Sequence, residues 1–344
     1  MAQRTTSRDV AQIAGVSRTT VSLVLNNVKG IRISEAARQR VLDAARELNY
    51  HPDIAGRNLA SGKSWTIGLV LRQSPEQVFA DALLPQVLMG LEQAVLAQGF
   101  QVLLKSLEPG DTSGYLRLIN ENHVDGIILS GPRQDDSEIL HLKQDGFPVM
   151  LMGQLPGSGI PCVDINAENG AEIAVQHLLE QGHRRIAMIT NASLEYTSAQ
   201  QRHSGFLNAL EKAGISPNES HLVAGDYTPA SGYKAMNKLF QATPSPTAVF
   251  VASDVVALGA ILAIKHKGLR IPQDVAVVGF DDIPLAEYFD PPLTTVRIPA
   301  FGLGWAVGER LLRLIRFEGL DKDSELLESE LIVRQSSIVN SGLK

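Results

Sequence analysis

Residues 6–26 read Thr6-Ser-Arg-Asp-Val-Ala-Gln-Ile-Ala-Gly-Val-Ser-Arg-Thr-Thr-Val-Ser-Leu-Val-Leu-Asn26, and this spacing predicts two short helices joined by a tight turn. The first helix is expected from about Ser7 to Ile13, with Ser7 as its N-cap. Val10, Ala11 and Ala14 keep the helix-crossing surface small, and Gly15 can adopt the left-handed backbone of the turn. Ser17 then caps a second helix in which Val21, Val24 and Leu25 face inward. Arg18, Thr19, Ser22 and Asn26 are left to face outward, where such a helix enters a DNA groove. The competing reading is a surface helical hairpin with no partner.

Charge is divided unevenly along the chain. Residues 1–63 carry ten Lys/Arg against five Asp/Glu, a net charge of +5, whereas the remainder carries 21 against 32, a net charge of −11. The overall value of −6 therefore hides a basic head on an acidic body, and only the head suits a polyphosphate partner. A length of 344 residues with 44% hydrophobic content predicts two or three domains with sizeable cores. A single cysteine, Cys162, excludes an internal disulfide framework and a cysteine-rich zinc site. The opening Met-Ala-Gln-Arg-Thr-Thr has no apolar signal core, and no stretch reaches transmembrane length. A cytoplasmic protein without membrane association is expected, and the sequons at Asn191 and Asn218 are read as chance matches.

Ser34 begins a third helical pattern reaching about Leu48, with Ala37, Val41, Ala45 and Leu48 as its inner stripe and Arg38, Arg40 and Arg46 off it. Asn49-Tyr-His-Pro-Asp53 breaks this pattern. A short helical run, Ile54–Ala60, follows and is too short to be stable alone. From Thr66 onward, apolar strands alternate with longer helical patterns. Expected strands are Thr66–Leu71, Gln101–Leu104, Gly126–Leu129 and Val149–Met152, then Arg185–Thr190, Leu222–Ala224, Ala248–Ala252 and Val275–Phe280. Expected helices include Leu83–Gln98, Gly170–Gln181, Ala199–Ala213, Gly232–Gln241 and Val255–His266. Continuous apolar strands separated by helices imply parallel sheets covered on both faces. Two such series imply two similar α/β lobes with a ligand cleft at the carboxyl ends of their strands.

Several motifs now converge. Asp9-Val-Ala-x-x-Ala-Gly-Val-Ser-x-x-Thr-Val-Ser22, closed by Asn26, and Arg40-Val-Leu-x-Ala-Ala-x-Glu-Leu-Asn-Tyr-x-Pro52 form one set. Glu180-Gln-Gly-His-Arg-Arg-Ile-Ala187, Arg202-x-x-Gly-Phe206, Ser253-Asp-x-x-Ala-x-Gly259, Ile271-Pro-x-Asp-Val-Ala-Val-Val-Gly-Phe-Asp-Asp282 and Pro292-Leu-Thr-Thr-Val296 form another. Together they make the chain resemble the lactose-repressor/galactose-repressor family of transcription regulators, collinearly from about residue 7 to 336. The resemblance implies an all-α helix-turn-helix head at 1–50, a hinge helix and linker at 51–63, and an effector-binding and dimerisation core at 64–344. That core would be an α/β, periplasmic-binding-protein-like pair of lobes, one about 64–166 and 298–328, the other about 167–297 and 329–344. It also implies a homodimer on a pseudo-palindromic double-stranded operator, with affinity set by a small polar effector such as a sugar or sugar derivative. A repressor is the expected role.

Arg18 and Thr19 are best placed to read base edges, Arg by bidentate bonds to guanine and Thr through its methyl against thymine. Ser17, Thr20, Ser22 and Asn26 suit phosphates or mixed contacts that fix register. The resemblance places operator discrimination on Arg18, Thr19 and Leu23. Leu23 departs from the polar residue of the lactose repressor, so its contact would be apolar or absent. Val28-Lys-Gly30 lengthens the link to the third helix. Leu59 matches the family's leucine lever, which wedges into the minor groove at the operator centre; ordinary packing of a helix end is the alternative. Gly56 replaces the usual Ala and should weaken the free hinge helix, coupling its folding more strongly to DNA.

Arg202 follows a polar loop at a helix start, and Asp281 ends a buried strand, so a guanidinium fork and a carboxylate can hold vicinal hydroxyls in one cleft. The resemblance assigns both to effector binding; a structural ion pair is the alternative. Tyr227 matches a family aromatic that stacks on the effector, or is a core tyrosine. Ser253 replaces an asparagine, losing the amide's paired donor and acceptor. The loop Gln73-Ser-Pro-Glu-Gln-Val-Phe79 should border the cleft, making Gln77 and Phe79 candidate contacts, with Gln154 and Ile165 similarly placed and Asp282 structural.

Other function classes fit less well. A periplasmic sugar receptor would account for the body but not for residues 1–63. Gly302-Leu-Gly304 lacks phosphate-loop spacing and the strand that a dinucleotide fingerprint requires. The eight histidines form no His-x-x-x-His pair. No enzyme, metal or cofactor is expected beyond the small-molecule effector. Only nine residues follow Gln335 and they hold no leucine heptad, so a dimer without a tetramerising tail is expected.

Overall fold

The computed structural model describes residues 5–25, 32–50, 63–108, 111, 114–121, 123–134 and 138–338. Asn26, Val28–Gly30, Gly56, Leu59 and the expected hinge run 54–60 lie outside the described residues. The chain divides into two compact units, Met1–Ser64 and Trp65–Lys344.

The first unit packs α1 (Ser7–Ala14), α2 (Arg18–Leu25) and α3 (Glu35–Glu47) around Val10, Ala14, Val21, Val24, Val41 and Ala44. The N-cap of α1 is Thr6 rather than the expected Ser7. The reason is Asp9, which lies three residues beyond Thr6 and accepts from its backbone N–H at 2.8 Å and its hydroxyl at 2.7 Å. That reciprocal capping box satisfies end donors that Ser7 could not reach in combination with Asp9. Gly15 takes φ +66° and turns the chain into α2. Ser17 Oγ accepts from Thr20 N at 3.1 Å, and Ser34 caps α3 by accepting from Ala37 N at 3.3 Å. Arg40, off the apolar stripe of α3, donates to the Ala14 carbonyl at 3.0 Å and ties α3 to the end of α1.

The second unit contains two six-stranded sheets among the described residues. One comprises β1 (Thr66–Leu71), β2 (Gln101–Ser106), β3 (Gly126–Ser130), β4 (Val149–Met152), β5 (Cys162–Ile165) and β11 (Ser324–Leu327), ordered β11-β5-β4-β3-β1-β2 and wholly parallel. The other comprises β6 (Ile186–Ile189), β7 (Leu222–Val223), β8 (Ala248–Val251), β9 (Ala276–Asp281), β10 (Thr294–Arg297) and β12 (Glu330–Ile332), ordered β12-β10-β9-β8-β6-β7. Its edge strand β12 runs antiparallel to β10 and the rest are parallel. The chain passes from the first sheet to the second after β5, returns after β10, and crosses again between β11 and β12.

Helices cover both sheets. Around the first lie α4 (Pro75–Ala80), α5 (Leu84–Leu96), α6 (Gly114–Asn120), α7 (Glu138–Gln144) and, returning late in the sequence, α12 (Ala300–Ile315). Around the second lie α8 (Ala167–Glu180), α9 (Thr197–Lys212), α10 (Pro229–Leu239) and α11 (Asp254–His266). The eight expected strands and five expected helices of this unit all appear, with ends shifted by a few residues. The segment read as a loop at 73–79 is instead largely helical: Ser74 accepts from Gln77 N at 3.4 Å while Gln77 Oε1 accepts from Ser74 N at 3.0 Å, and Pro75 sits in the first turn. Strands β5, β10, β11 and β12 had no counterpart in the apolar pattern because each is short or carries polar residues.

Candidate functional site

Each unit carries one candidate site. On the head, Ser17, Arg18, Thr19 and Ser22 are exposed along α2, and Thr20 and Leu23 are half-buried. The hydroxyls of Ser17 and Thr20 lie 2.9 Å apart and satisfy each other at the helix start. Arg18 and Thr19 thus stand on the first turn of α2, the end of a recognition helix that approaches base edges. Leu23 is partly covered by the head rather than fully presented. Asn26 and Leu59 lie outside the described residues.

In the second unit a cavity of about 170 Å³ opens between the two sheets. Its lining comes from the carboxyl ends of strands in both: Leu71, Ser130, Met152 and Asp164 on one side, and Asn191, Ser253 and Asp281 on the other. This is where parallel sheets leave backbone ends and helix starts free to receive ligands. Arg202 and Asp281 meet there, with Nη2 to Oδ1 at 3.4 Å and both side chains about 10% exposed. Arg202 Nη1 also donates to the Ala252 carbonyl at 2.5 Å, and its guanidinium stacks 4.0 Å from the Phe280 ring centre. The fork is therefore held by the Ala252 carbonyl just beyond β8 and by Phe280 and Asp281 of β9.

Burial pushes the Asp281 carboxyl up to about 6, with Arg202 opposing that rise and Asp81 adding to it. Ser253 donates a hydrogen bond to this carboxylate. Behind it, Asp254 is fully buried, accepting from Thr295 Oγ1 at 2.7 Å and Ile283 N at 3.1 Å. Burial and then the neighbouring Asp281 charge hold Asp254 well above the usual carboxylate range. The backbone is strained at this point, with φ +120° at Asp281 and +51° at Asp282. The left-handed turn separates the two carboxylates. Asp281 enters the cavity, whereas Asp282 is braced by Arg297 Nε and Arg334 Nη2, each at 2.7 Å.

Tyr227 also lines the cavity, at φ +65°, its backbone N–H donating to the Asn191 carbonyl at 2.8 Å. Its ring stands edge-on to Tyr196 with centres 5.6 Å apart, and burial pushes its hydroxyl up to about 12. Gln77 reaches the lining too, but Nε2 donates to the Asp226 carbonyl at 2.9 Å and its Oε1 caps α4. Phe79 is not brought to the cleft. It is 82% exposed because the helical turn of α4 that buries Val78 directs Phe79 outward.

Asp164, Asp81 and Asn191 also line the cavity, although the sequence assigned none of them to it. Asp164 accepts from Ile165 N at 2.8 Å, and from Gln154 Nε2 and Gln201 Nε2, each at 3.2 Å. Gln154 thus acts behind the lining, whereas Ile165 belongs to it. Asp81 accepts from Leu83 N at 2.8 Å and Leu84 N at 3.3 Å. Burial raises both carboxyls above their ordinary value. Asn191 is 1% exposed. The available signal was a charged residue inside an apolar strand, Cys162-Val-Asp-Ile165. Among the described residues no group of three or more His, Cys, Asp or Glu is arranged to hold a metal ion, and no helix is long and apolar enough to cross a membrane.

Comparison with known proteins agrees with this architecture. Residues 6–53 match the family described as bacterial regulatory proteins, lacI family, and residues 175–337 match the periplasmic binding protein-like domain. The HTH-type transcriptional repressor PurR of Mannheimia succiniciproducens is 34% identical over 341 residues, covering 96% of this chain and 98% of the relative. That of Erwinia tasmaniensis is 36% identical, covering 96% of each chain. Among solved structures, the lac repressor dimer bound to operator and the anti-inducer ONPF superposes with a TM-score of 0.86 at 29% identity, covering 98% of this chain and all of the other. A complex of the transcriptional regulator CelR with cellobiose gives 0.75 at 33% identity, covering 97% of this chain and all of the other.

Proposed function

The chain belongs to the lacI family of bacterial regulatory proteins, as a DNA-binding transcriptional regulator and not an enzyme, and from that premise we propose how its two sites divide the work. The head at 1–50 reads a pseudo-palindromic operator. Arg18 and Thr19 contact base edges, Ser17, Thr20 and Ser22 hold phosphates, and Leu23 makes an apolar contact. Asn26 and the leucine lever Leu59 complete that interface, with 51–63 as the hinge. The core at 64–344 binds a sugar or sugar derivative through Arg202, Asp281, Tyr227 and Ser253, with Gln77 at the rim. The protein acts in the cytoplasm as a homodimer and represses transcription.

The observation that carries the effector assignment is the buried Arg202–Asp281 pair, which sits in a cavity between two sheets instead of in a closed core. The relative solved with cellobiose supports a sugar. Control follows from linkage: an effector alters operator affinity only as far as it prefers one arrangement of the lobes. Contacts that such a rearrangement would remake already span the cleft. They include Gln77 to Asp226, Arg133 to Glu195 at 2.7 Å, and the Tyr196 hydroxyl to the Arg72 carbonyl at 2.7 Å. The test is binding to the promoter of the neighbouring operon at several salt concentrations, with size-exclusion of the complex. A dimer with a steep salt dependence is expected. Absence of binding to any promoter fragment, with or without candidate metabolites, would overturn the proposal.

A further inference from the structure

The cavity is richer in hydrogen-bond acceptors than in donors. Three carboxylates, Asp81, Asp164 and Asp281, line it beside one cation, Arg202. Arg202 is already committed to Asp281, the Ala252 carbonyl and the Phe280 ring, which leaves its Nε as the guanidinium nitrogen without a partner. The second observation is independent of charge. Asn191 donates through Nδ2 to Ser198 Oγ at 3.3 Å and Tyr227 Oη at 3.4 Å, yet its buried Oδ1 receives no donor. Gln73 Oε1, also in the lining, is buried and without a donor as well. A buried amide oxygen left without a donor is unfavourable, and a ligand that donates to it removes that cost.

Resting on the reading of this cleft as the effector site, we propose that its effector is an uncharged polyhydroxylated molecule of mono- or disaccharide size, and that the cleft rejects phosphorylated and carboxylated analogues. Each hydroxyl can donate to a carboxylate or to Asn191 Oδ1 and accept from Arg202 Nε. An ionised phosphate or carboxylate brings only acceptors to a lining where three aspartate side chains face a single, already engaged guanidinium. Placing like charges together across a desolvated interface is strongly unfavourable. A planar heteroaromatic base supplies fewer donors than a sugar ring, and Tyr227 is the one aromatic ring among the described lining residues.

The experiment is thermal unfolding and calorimetric titration of the full chain at pH 7.5 and constant ionic strength. The probes are neutral mono- and disaccharides, including glucose, galactose, cellobiose and sucrose, each beside its phosphorylated or oxidised acid counterpart, with hypoxanthine and guanine as bases. At least one neutral sugar should bind, and its anionic counterpart should bind roughly 100-fold more weakly. Asn191→Ala should weaken the neutral sugar by about 10-fold, and Asp81→Asn should narrow the ratio of neutral to anionic affinity. An anionic counterpart that binds as tightly as its parent, a base that binds where no sugar does, or an unchanged ratio in Asp81→Asn overturns the inference while leaving the effector site in place. Failure of every probe to bind or stabilise the protein overturns the effector reading itself.

Discussion

Arg202 Nη2 lies 3.4 Å from Asp281 Oδ1, and each side chain is only about 10% exposed. A pair so deeply placed is poor value for stability alone, because desolvation offsets most of the attraction. Its position in a cavity wall is what makes it useful.

Replacing Arg202 by Ala leaves Asp281 buried without its cation. Such a change typically costs about 3–5 kcal/mol, and urea unfolding of the core should report a loss near the lower figure, since Asp281 can take up a proton. Operator binding should persist but cease to respond to effector. Unchanged stability together with a normal effector response would show that the pair does neither job.

The acid side of the stability profile should carry the mark of Asp281. Burial raises its carboxyl to about 6, so between roughly pH 4 and 6 the folded chain binds more protons than the unfolded one. This group therefore stabilises the fold as pH falls through 6, and its unfavourable contribution is complete above that value. Asp274 acts in the opposite sense, because its bonds to Arg270 lower its carboxyl to about 2. The comparison must therefore be parent against Asp281→Asn: the difference in unfolding free energy should change with pH across 4–6. Effector affinity should decline below pH 6 as the accepting carboxylate is lost. A flat difference across that range would reject the assignment.

Gly259 stands in the motif Ser253-Asp-x-x-Ala-x-Gly259, and packing explains its presence. A Cβ there would sit 1.7 Å from the Pro229 carbonyl oxygen and 2.7 Å from Tyr233 N. Gly259→Ala must force α10 and α11 apart, at a cost of about 1–3 kcal/mol or more. Thermal unfolding should show a lower melting temperature, while operator-binding residues remain untouched; an unshifted melting temperature would mean the two helices separate freely.

On the head, Arg18→Ala should weaken specific operator binding by about 1–3 kcal/mol and relax preference at one base position. Arg18 is exposed at the start of α2, so the head should fold as before. Selection of bound sequences by the variant and parent separates base reading from phosphate contact, because loss of a phosphate contact weakens all sequences alike.

How far the sequence reached depended on the range of the interactions involved. The helix-turn-helix was legible because its determinants are local: a small crossing surface at Val10, Ala11 and Ala14, a left-handed Gly15, and Ser17 three residues before the N–H it caps. The central strands were legible because burial on both faces demands an unbroken apolar run. Edge strands β11 and β12 carry Ser324, Glu325 and Glu330, so their strand character comes from pairing with β5 and β10 and not from composition. Even the N-cap of α1 passed from Ser7 to Thr6 because a reciprocal partner, Asp9, outweighs residue type.

The cleft shows the same division. Arg202 and Asp281 could be nominated from sequence, Asp281 as the end of a buried strand and Arg202 from the early turns of the helix that follows a polar loop. Asp81, Asp164 and Asn191 come from three other segments, and only the folding of both sheets toward one cavity brings them to the same space. Phe79 was lost from the cleft for a related reason: one turn of helix, fixed by the Ser74–Gln77 capping box, decides which of two adjacent apolar side chains is buried. The sequence by itself determined the helix-turn-helix, the central strands and the long helices between them, because these are written in short-range periodicity and capping. The tertiary structure alone decided the charge balance of the cavity, since that depends on which distant residues share its desolvated volume.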